Sequence, residues 1–583
     1  MKKFVLLLLI ASVTLAHADD SKLSPELRGN HSSQQLQVIV QYAPGTQVNC
    51  NGLFGFVGCL LNDVVQLGGK ILGQLPLING VVALLDGNGI VNLSNQSNVV
   101  YISLDRPLTP SLNNAAAAVN ADFAWQSNYT GAGIGVALID SGVSNHLDLY
   151  QGLFSRVVYQ QSFVPGDSNP GDAFGHGTHI AGLIAGDGFS STGFLYSKTF
   201  KGIAPGAKIV NLRVLDANGA STDSVVIAAI NQAIALKSRY NIRVINLSLG
   251  RAVYETYKLD PLCQAVEKAW QNGIVVVVAA GNNGRYQPTS GYATITSPGN
   301  DPYVITVGAM KTMGTPTRTD DLIASYSSKG PTVIDAVAKP DLVAPGNLLV
   351  SLEAPGSTLY NQYPGNRVPN SYYMNWGNTA PSSSYFTLSG TSMAAGVVSG
   401  AVADLLQKSP RLTPDQVKAR LMKTAYKTFP TSSSTTDPTT GITYTDQYDV
   451  FTVGAGYLDL EEAMESIDVA RGSAMSPVAS FDPNSGNVYL NDDSSAVWNT
   501  SATWANSAVW GSTQFVAGAQ SSSTLSSTNA LWGSNALWGS NALWGSNALW
   551  GSNALWGSNA LWGSNALWGS NALWGSNVSV GEQ

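Results

Sequence analysis

Three short segments carry residue types that together could cut an acyl bond: Asp140-Ser-Gly142, His176-Gly-Thr-His179 and Gly390-Thr-Ser-Met-Ala394. Each sets a polar, reactive residue type beside glycine, where backbone must come close to a substrate. A serine hydroxyl is a poor nucleophile until a base takes its proton, and histidine is the usual base near neutral pH. An aspartate accepting the histidine's other N–H would fix the tautomer and stabilise the imidazolium that forms. The chain holds five histidines. His17 and His31 fall in N-terminal stretches expected to be removed, which leaves His146, His176 and His179.

Such residues need a frame that brings them together. From about 113 to 470 apolar strand patterns alternate with helical ones, which predicts an α/β fold: a mostly parallel sheet covered by helices on both faces. The runs Ile134–Asp140, Ile209–Leu215, Val244–Leu249 and Ile274–Ala280 read as buried strands, and Met393–Leu406 lies in a helix. Ligands bind beyond the carboxyl ends of strands in open sheets of this kind. Asp140 stands at such an end.

The 583 residues are too many for one core. A net charge of −7 with 11% charged residues gives no sign of a nucleic-acid surface. Residues 1–18 read as a secretory signal: Lys2 and Lys3, an apolar stretch from Phe4 to Leu15, then Ala16-His-Ala18. The apolar stretch is shorter than the ~20 residues that span a bilayer, so a secreted protein, extracellular or periplasmic, is expected. Cys50 and Cys59 could close a small loop there, whereas Cys263 sits in an apolar-periodic stretch and reads as a buried small hydrophobe. Residues 19–112 alternate β-like runs (Gln37–Gln41, Val81–Leu85, Val99–Ser103) with glycine turns and hold no catalytic constellation.

The order Asp, His, Ser, with these glycine contexts, resembles the subtilisin-like serine peptidases (subtilases). The resemblance implies Asp140, His176 and Ser392 as the triad, His179 as a structural neighbour, and Asn282, after the strand Ile274–Val278, as an oxyanion donor beside the Ser392 N–H. It also implies two strand edges for a peptide, at Gly219 and at Ser248-Leu249-Gly250, with Thr296 on the floor of the primary pocket and a cis Ser297–Pro298 bond. Residues 19–112 then resemble a small α+β inhibitory propeptide of a self-processing zymogen. Protein or peptide substrates are implied and no cofactor for the chemistry. Structural calcium is left open, because Asp148 matches a calcium-binding position in some relatives.

Several positions depart from the family pattern. Gly396 stands where many relatives have proline, which questions the placement of the nucleophile. Arg251 follows Gly250 where glycine is frequent and reads as a positive rim. Tyr360 to Tyr385 is a tyrosine-rich insertion read as an extra wall for substrate.

The end of the chain differs in kind. Residues 471–528 read as a linker with degenerate repeats (Trp498, Trp504, Trp510), and residues 529–577 hold eight copies of Asn-Ala-Leu-Trp-Gly-Ser. Six residues turn a helix by 240°, which scatters the tryptophans, whereas a strand would put them all on one face. A low-complexity tail, a β-assembly or an aromatic ladder for polysaccharide or cell surface all suit this repeat. The rival to an enzyme is therefore a surface-binding or self-assembling protein whose peptidase domain serves only maturation. An ester-cleaving serine hydrolase is disfavoured by the strand-edge glycines.

Overall fold

The computed structural model describes residues 19–499 apart from 25–26, 30–31, 44–60, 76–78, 105–111, 377, 438–439, 483–486 and 492, together with 503 and 509. The signal stretch, the Cys50–Cys59 pair and the hexapeptide repeats lie outside the described residues. Two compact units divide between Thr109 and Pro110.

In the first unit β1 (Leu36–Tyr42), β2 (Lys70–Leu75), β3 (Gly80–Leu85) and β4 (Val99–Leu104) form an antiparallel sheet in the order β2-β3-β1-β4. Helices α1 (Leu61–Gln66) and α2 (Gly87–Ser94) accompany it. Val38, Val40 and Tyr42 alternate along β1 and are buried, so one face of the strand carries the core. Asp86 caps α2 by accepting the Gly89 N–H at 2.7 Å.

The second unit is built on a sheet of β5 (Gly135–Asp140), β6 (Val157–Ser162), β7 (Lys208–Arg213), β8 (Ile242–Leu247), β9 (Val275–Ala279), β10 (Ile305–Lys311), β11 (Leu322–Ile323) and β12 (Leu342–Pro345). The order is β11-β10-β9-β8-β5-β7-β6, with β12 paired to β10. All pairings are parallel except that of β11. Every residue of β5 and of β9 is buried, which is why both read as continuous apolar runs without alternation.

Helices α3 (His176–Ala185), α4 (Asp223–Tyr240), α5 (Pro261–Gln271) and α6 (Thr391–Lys408) pack with this sheet. α5 starts where Asp260 accepts the Leu262 N–H and Pro261 takes the first turn. α6 is buried along nearly its whole length and crosses α3 closely. A Cβ on Gly396 would meet Ile180 Cγ2 at 3.3 Å and Leu183 Cβ at 3.5 Å. Glycine at 396 therefore serves the approach of these two helices, and Ser392 keeps its place at the helix start.

The tyrosine-rich insertion supplies β14 (Arg367–Pro369) and most of β15 (Pro381–Leu388), which form an antiparallel sheet with β13 (Leu349–Leu352) in the order β13-β15-β14. Tyr373 and Tyr385 are buried among Phe200 and each other, with ring centroids 4.6 to 5.5 Å apart. These two tyrosines are core, which corrects the reading of the whole insertion as a substrate wall: an aromatic ring supplies more stability buried than exposed.

The chain stays on the domain after Ala470. Ser476 Oγ donates to Asp341 Oδ1 at 2.5 Å, beside Lys418 Nζ at 3.1 Å from the same oxygen. Lys418 Nζ also donates to the carbonyls of Pro302 and Val304 and to Ser476 Oγ. Trp498 is buried against a satellite cluster with Met422 and Phe451, and its Nε1–H donates to Met475 O at 2.6 Å. The stretch read as a linker thus begins with packed structure, and the first tryptophan of the degenerate period is a core residue.

Candidate active site

Strands β5, β8 and β9 are neighbours, and their carboxyl ends carry the site. Asp140 closes β5. Leu247 pairs with Ile139, so Ser248 follows beside Asp140. His176 opens α3, and its Nδ1 lies 2.8 Å from Asp140 Oδ1, both side chains wholly buried. Gly177 permits this: a Cβ there would stand 2.3 Å from Gly142 O and 3.2 Å from Asp140 Cβ. Burial opposes charge on His176, yet the Asp140 charge and hydrogen bond hold its pKa above the ordinary histidine value.

A second acid, unforeseen from the sequence, sets the helix start. Asp172 Oδ1 accepts from Ser141 Oγ at 2.8 Å and from Gly175 N at 2.6 Å, and Oδ2 accepts from Thr178 N at 2.8 Å. Ser141 Oγ in turn accepts the Gly177 N–H at 2.8 Å. These bonds satisfy N–H groups at the first turn of α3 and tie it to the end of β5. An aspartate four residues before a helix-opening histidine was the available signal.

Ser392 is the second residue of α6, where backbone N–H groups have no acceptor within the helix. Its Oγ donates to Ser248 O at 3.2 Å and its carbonyl accepts from Ser248 Oγ at 3.0 Å. Ser392 is therefore bonded to the residue beside Asp140. Asn282 lies three residues beyond β9. Its Oδ1 accepts from Thr391 N at 2.9 Å and Thr391 Oγ1 at 3.0 Å, which orients the amide against the residue preceding Ser392. Asn282 Nδ2 stands 3.3 Å from where a Cβ on Gly390 would be.

The other two histidines are structural. His179 Nε2–H points at Leu349 O (3.1 Å) and Phe386 O (3.2 Å), and burial pushes its pKa down to about 3. His146 Nδ1 accepts the Asp148 N–H at 3.1 Å while Nε2 faces Ser384 O at 3.0 Å, and burial above all lowers its pKa.

The expected substrate edges flank these groups. Phe174, two residues before His176, packs its ring on Gly219. A Cβ on Gly250 would stand 2.5 Å from Thr296 Oγ1, so the Ser248-Leu249-Gly250 segment lies against Thr296. Thr296 is buried and donates its N–H to Ala280 O at 3.1 Å. The Ser297–Pro298 peptide is cis. Arg251 forms no positive rim: its guanidinium bonds Asp223 and Asp260 at 2.8 to 3.0 Å, so two carboxylates meet its charge. Asp260 also accepts from Ser297 Oγ at 2.8 Å. Cys263 is buried nearby with Sγ 3.4 Å from Asn300 Oδ1, and burial raises its pKa.

Asp148 Oδ1 accepts from Ser190 N at 2.8 Å and its Oδ2 from Tyr385 OH at 2.7 Å, so each carboxylate oxygen has a donor from the protein. Among the described residues no group of three His, Cys, Asp or Glu side chains is placed to hold a metal. Tyr385→Phe should leave the buried carboxylate short of a donor and destabilise the protein by about 1–3 kcal/mol. Urea unfolding measures this, and an unchanged midpoint would show that the bond contributes nothing.

Comparison with known proteins gives this arrangement its context. The model of the subtilase family, peptidase S8, matches residues 131–456. Serine protease AprX of Bacillus subtilis (strain 168) is 38% identical over 340 residues, 56% of this chain and 70% of its own length. Subtilisin E of the same organism is 34% identical over 369 residues, covering 62% and 80%. The alkaline protease of Alkalihalobacillus alcalophilus is 31% identical over 369 residues, covering 63% and 79%. With the parallel sheet that carries the site, these matches make the protein a serine endopeptidase. It belongs to the subtilase family.

Proposed function

We propose that the protein is a secreted endopeptidase made as a zymogen, with Asp140, His176 and Ser392 as its triad. Residues 1–18 direct export and residues 19–112 are the inhibitory propeptide, removed by the enzyme itself. The observation that carries the triad is the 2.8 Å contact between the buried Asp140 and His176 at the end of the strand beside Ser248, to which Ser392 is bonded.

In the reaction Ser392 Oγ attacks the peptide carbonyl as His176 Nε2 takes its proton. Asp140 keeps the proton on His176 Nδ1, so Nε2 is the basic nitrogen, and its charge stabilises the imidazolium. The carbonyl oxygen, now an anion, is met by the Ser392 N–H and Asn282 Nδ2. His176 passes the proton to the leaving amine, and water attacks the acyl-enzyme by the same route. The peptide lies as an added strand between Gly219 and Ser248-Leu249-Gly250, which reads backbone and tolerates many sequences. Thr296 at the floor of the primary pocket brings no charge there.

Asn282→Ala should lower kcat by about 10²–10³ with KM little changed, because its donor bond strengthens only as the oxyanion forms. Steady-state kinetics on a chromogenic peptide test this. An equal change in kcat and KM, or none in either, would remove Asn282 from the oxyanion site. N-terminal sequencing of protein from the culture medium tests export and processing together: a mature chain should begin near residue 113.

A further inference from the structure

Just before the tyrosine-rich insertion, the segment Ser357-Thr358-Leu359 bridges two parts of the site that the proposed mechanism leaves unconnected. One part is the loop that leads into His176. Thr358 N donates to Ala173 O at 3.0 Å, and Leu359 N donates to Phe174 O at 2.9 Å. Ser357 and Leu359 are buried. A Cβ on Gly175 would stand 2.5 Å from Ser357 Oγ and 3.3 Å from Leu359 Cβ, so glycine beside His176 is what lets the segment come this close.

The other part is the loop that carries Gly219. Its root is tied to the strand end at Asp140: Val214 N and Leu215 N donate to Asp140 O at 2.8 and 3.2 Å. Its tip closes on Asp216, whose Oδ1 accepts from Asn218 N and Ala220 N and whose carbonyl accepts from Gly219 N. These bonds shape the turn without fixing it against His176. That is done by the Phe174 ring on Gly219 and by Thr358, whose Oγ1 donates to Ala217 O at 2.6 Å. The same Oγ1 lies 3.4 Å from Ala173 O, so the shorter contact takes the proton. A ring packed on glycine has no preferred direction, whereas the bond to Ala217 O does.

We propose that Thr358 is a positioning residue for substrate binding: its hydroxyl holds the Gly219 edge where an added peptide strand can pair with it. The inference rests on the reading of Gly219 as a substrate edge. A peptide that adds to an edge binds through backbone groups, which must already stand in line. A loop that has to be ordered on binding weakens affinity by the entropy lost. The edge serves substrate and transition state alike, so its order belongs to KM and leaves kcat alone.

The test compares the full mature chain with Thr358→Val, which keeps the shape of the side chain and removes its donor, and with Thr358→Ser, which restores the donor. Each is assayed on peptide p-nitroanilides of one, two, four and six residues, with active sites counted by titration with a sulfonyl fluoride. In Thr358→Val the KM of the six-residue anilide should rise about three- to tenfold, the worth of one hydrogen bond, with kcat unchanged. The one-residue anilide reaches Ser392 without lying along the Gly219 edge, so its kinetics should not move. Thr358→Ser should return the six-residue KM to within about twofold of the parent. An unchanged KM in Thr358→Val would overturn the proposal. Equal losses on short and long anilides per titrated site would overturn it too, since they mark a general structural role, and so would a serine variant no better than the valine one. The edge reading is tested by the parent alone, whose KM should fall as the anilide lengthens. A parent indifferent to length would overturn both readings, whereas a length dependence that Thr358→Val keeps in full would overturn only the role of Thr358.

Discussion

Ser392→Ala should lower kcat for casein-derived peptides by about 10⁶, the scale seen when the triad serine is removed from a subtilisin. The hydroxyl sits at the start of α6 with its backbone bonded to Ser248, and Ser248 commits its own Oγ to the Ser392 carbonyl and to Asn246. The same variant should accumulate as a precursor that still carries residues 19–112, since the proposed maturation uses the same hydroxyl. Gel mobility and N-terminal sequencing read this directly. A variant that matures normally while losing peptidase activity would separate processing from the triad. A variant that still digests casein would remove Ser392 from the chemistry.

Asp140→Asn is expected to lower kcat by about 10⁴, because the amide would favour the wrong imidazole tautomer while leaving the geometry intact. It should also move the pH profile. In the proposed mechanism His176 must be neutral to accept a proton, so kcat/KM should fall as pH falls through its pKa. Burial alone would depress that pKa, and Asp140 holds it above the ordinary ~6.5. The acid limb of the wild type therefore lies above that value, and in Asp140→Asn it shifts to lower pH. Rates measured from pH 5 to 9 decide the matter. A limb unmoved by the substitution would mean that His176 is not the titrating base or that Asp140 is not its partner.

Much of the frame was legible because burial on both faces writes itself into sequence. Strands such as Val275–Ala279 are apolar throughout, and each expected strand appears within a residue or two of its place. Asp140, His176 and Ser392 were singled out for a different reason, the resemblance of their order and glycine contexts to the subtilases, and the structure places Asp140 and His176 2.8 Å apart. What escaped depends on partners distant in sequence. Arg251 reads as an exposed cation until Asp223, 28 residues earlier, is placed beside it. Tyr385 reads as part of a wall until its hydroxyl meets Asp148, 237 residues away. Asp172 was passed over because its role is shared among Ser141, Gly175 and Thr178, none of which signals it alone.

The nest around Lys418 has a consequence in time. Its ammonium and the Asp341 carboxylate are wholly buried, and part of what satisfies them, the Ser476 hydroxyl, comes from beyond the span shared with the family. A chain emerging from its N-terminus presents the nucleophile at 392 well before Ser476 or Trp498 exists. Until they arrive, a buried ion pair lacks one of its donors and the cluster around Met422 and Phe451 lacks its indole. The packing around Lys418, Met422 and Phe451 is thus completed by residues made well after most of the peptidase unit's sheet and helices.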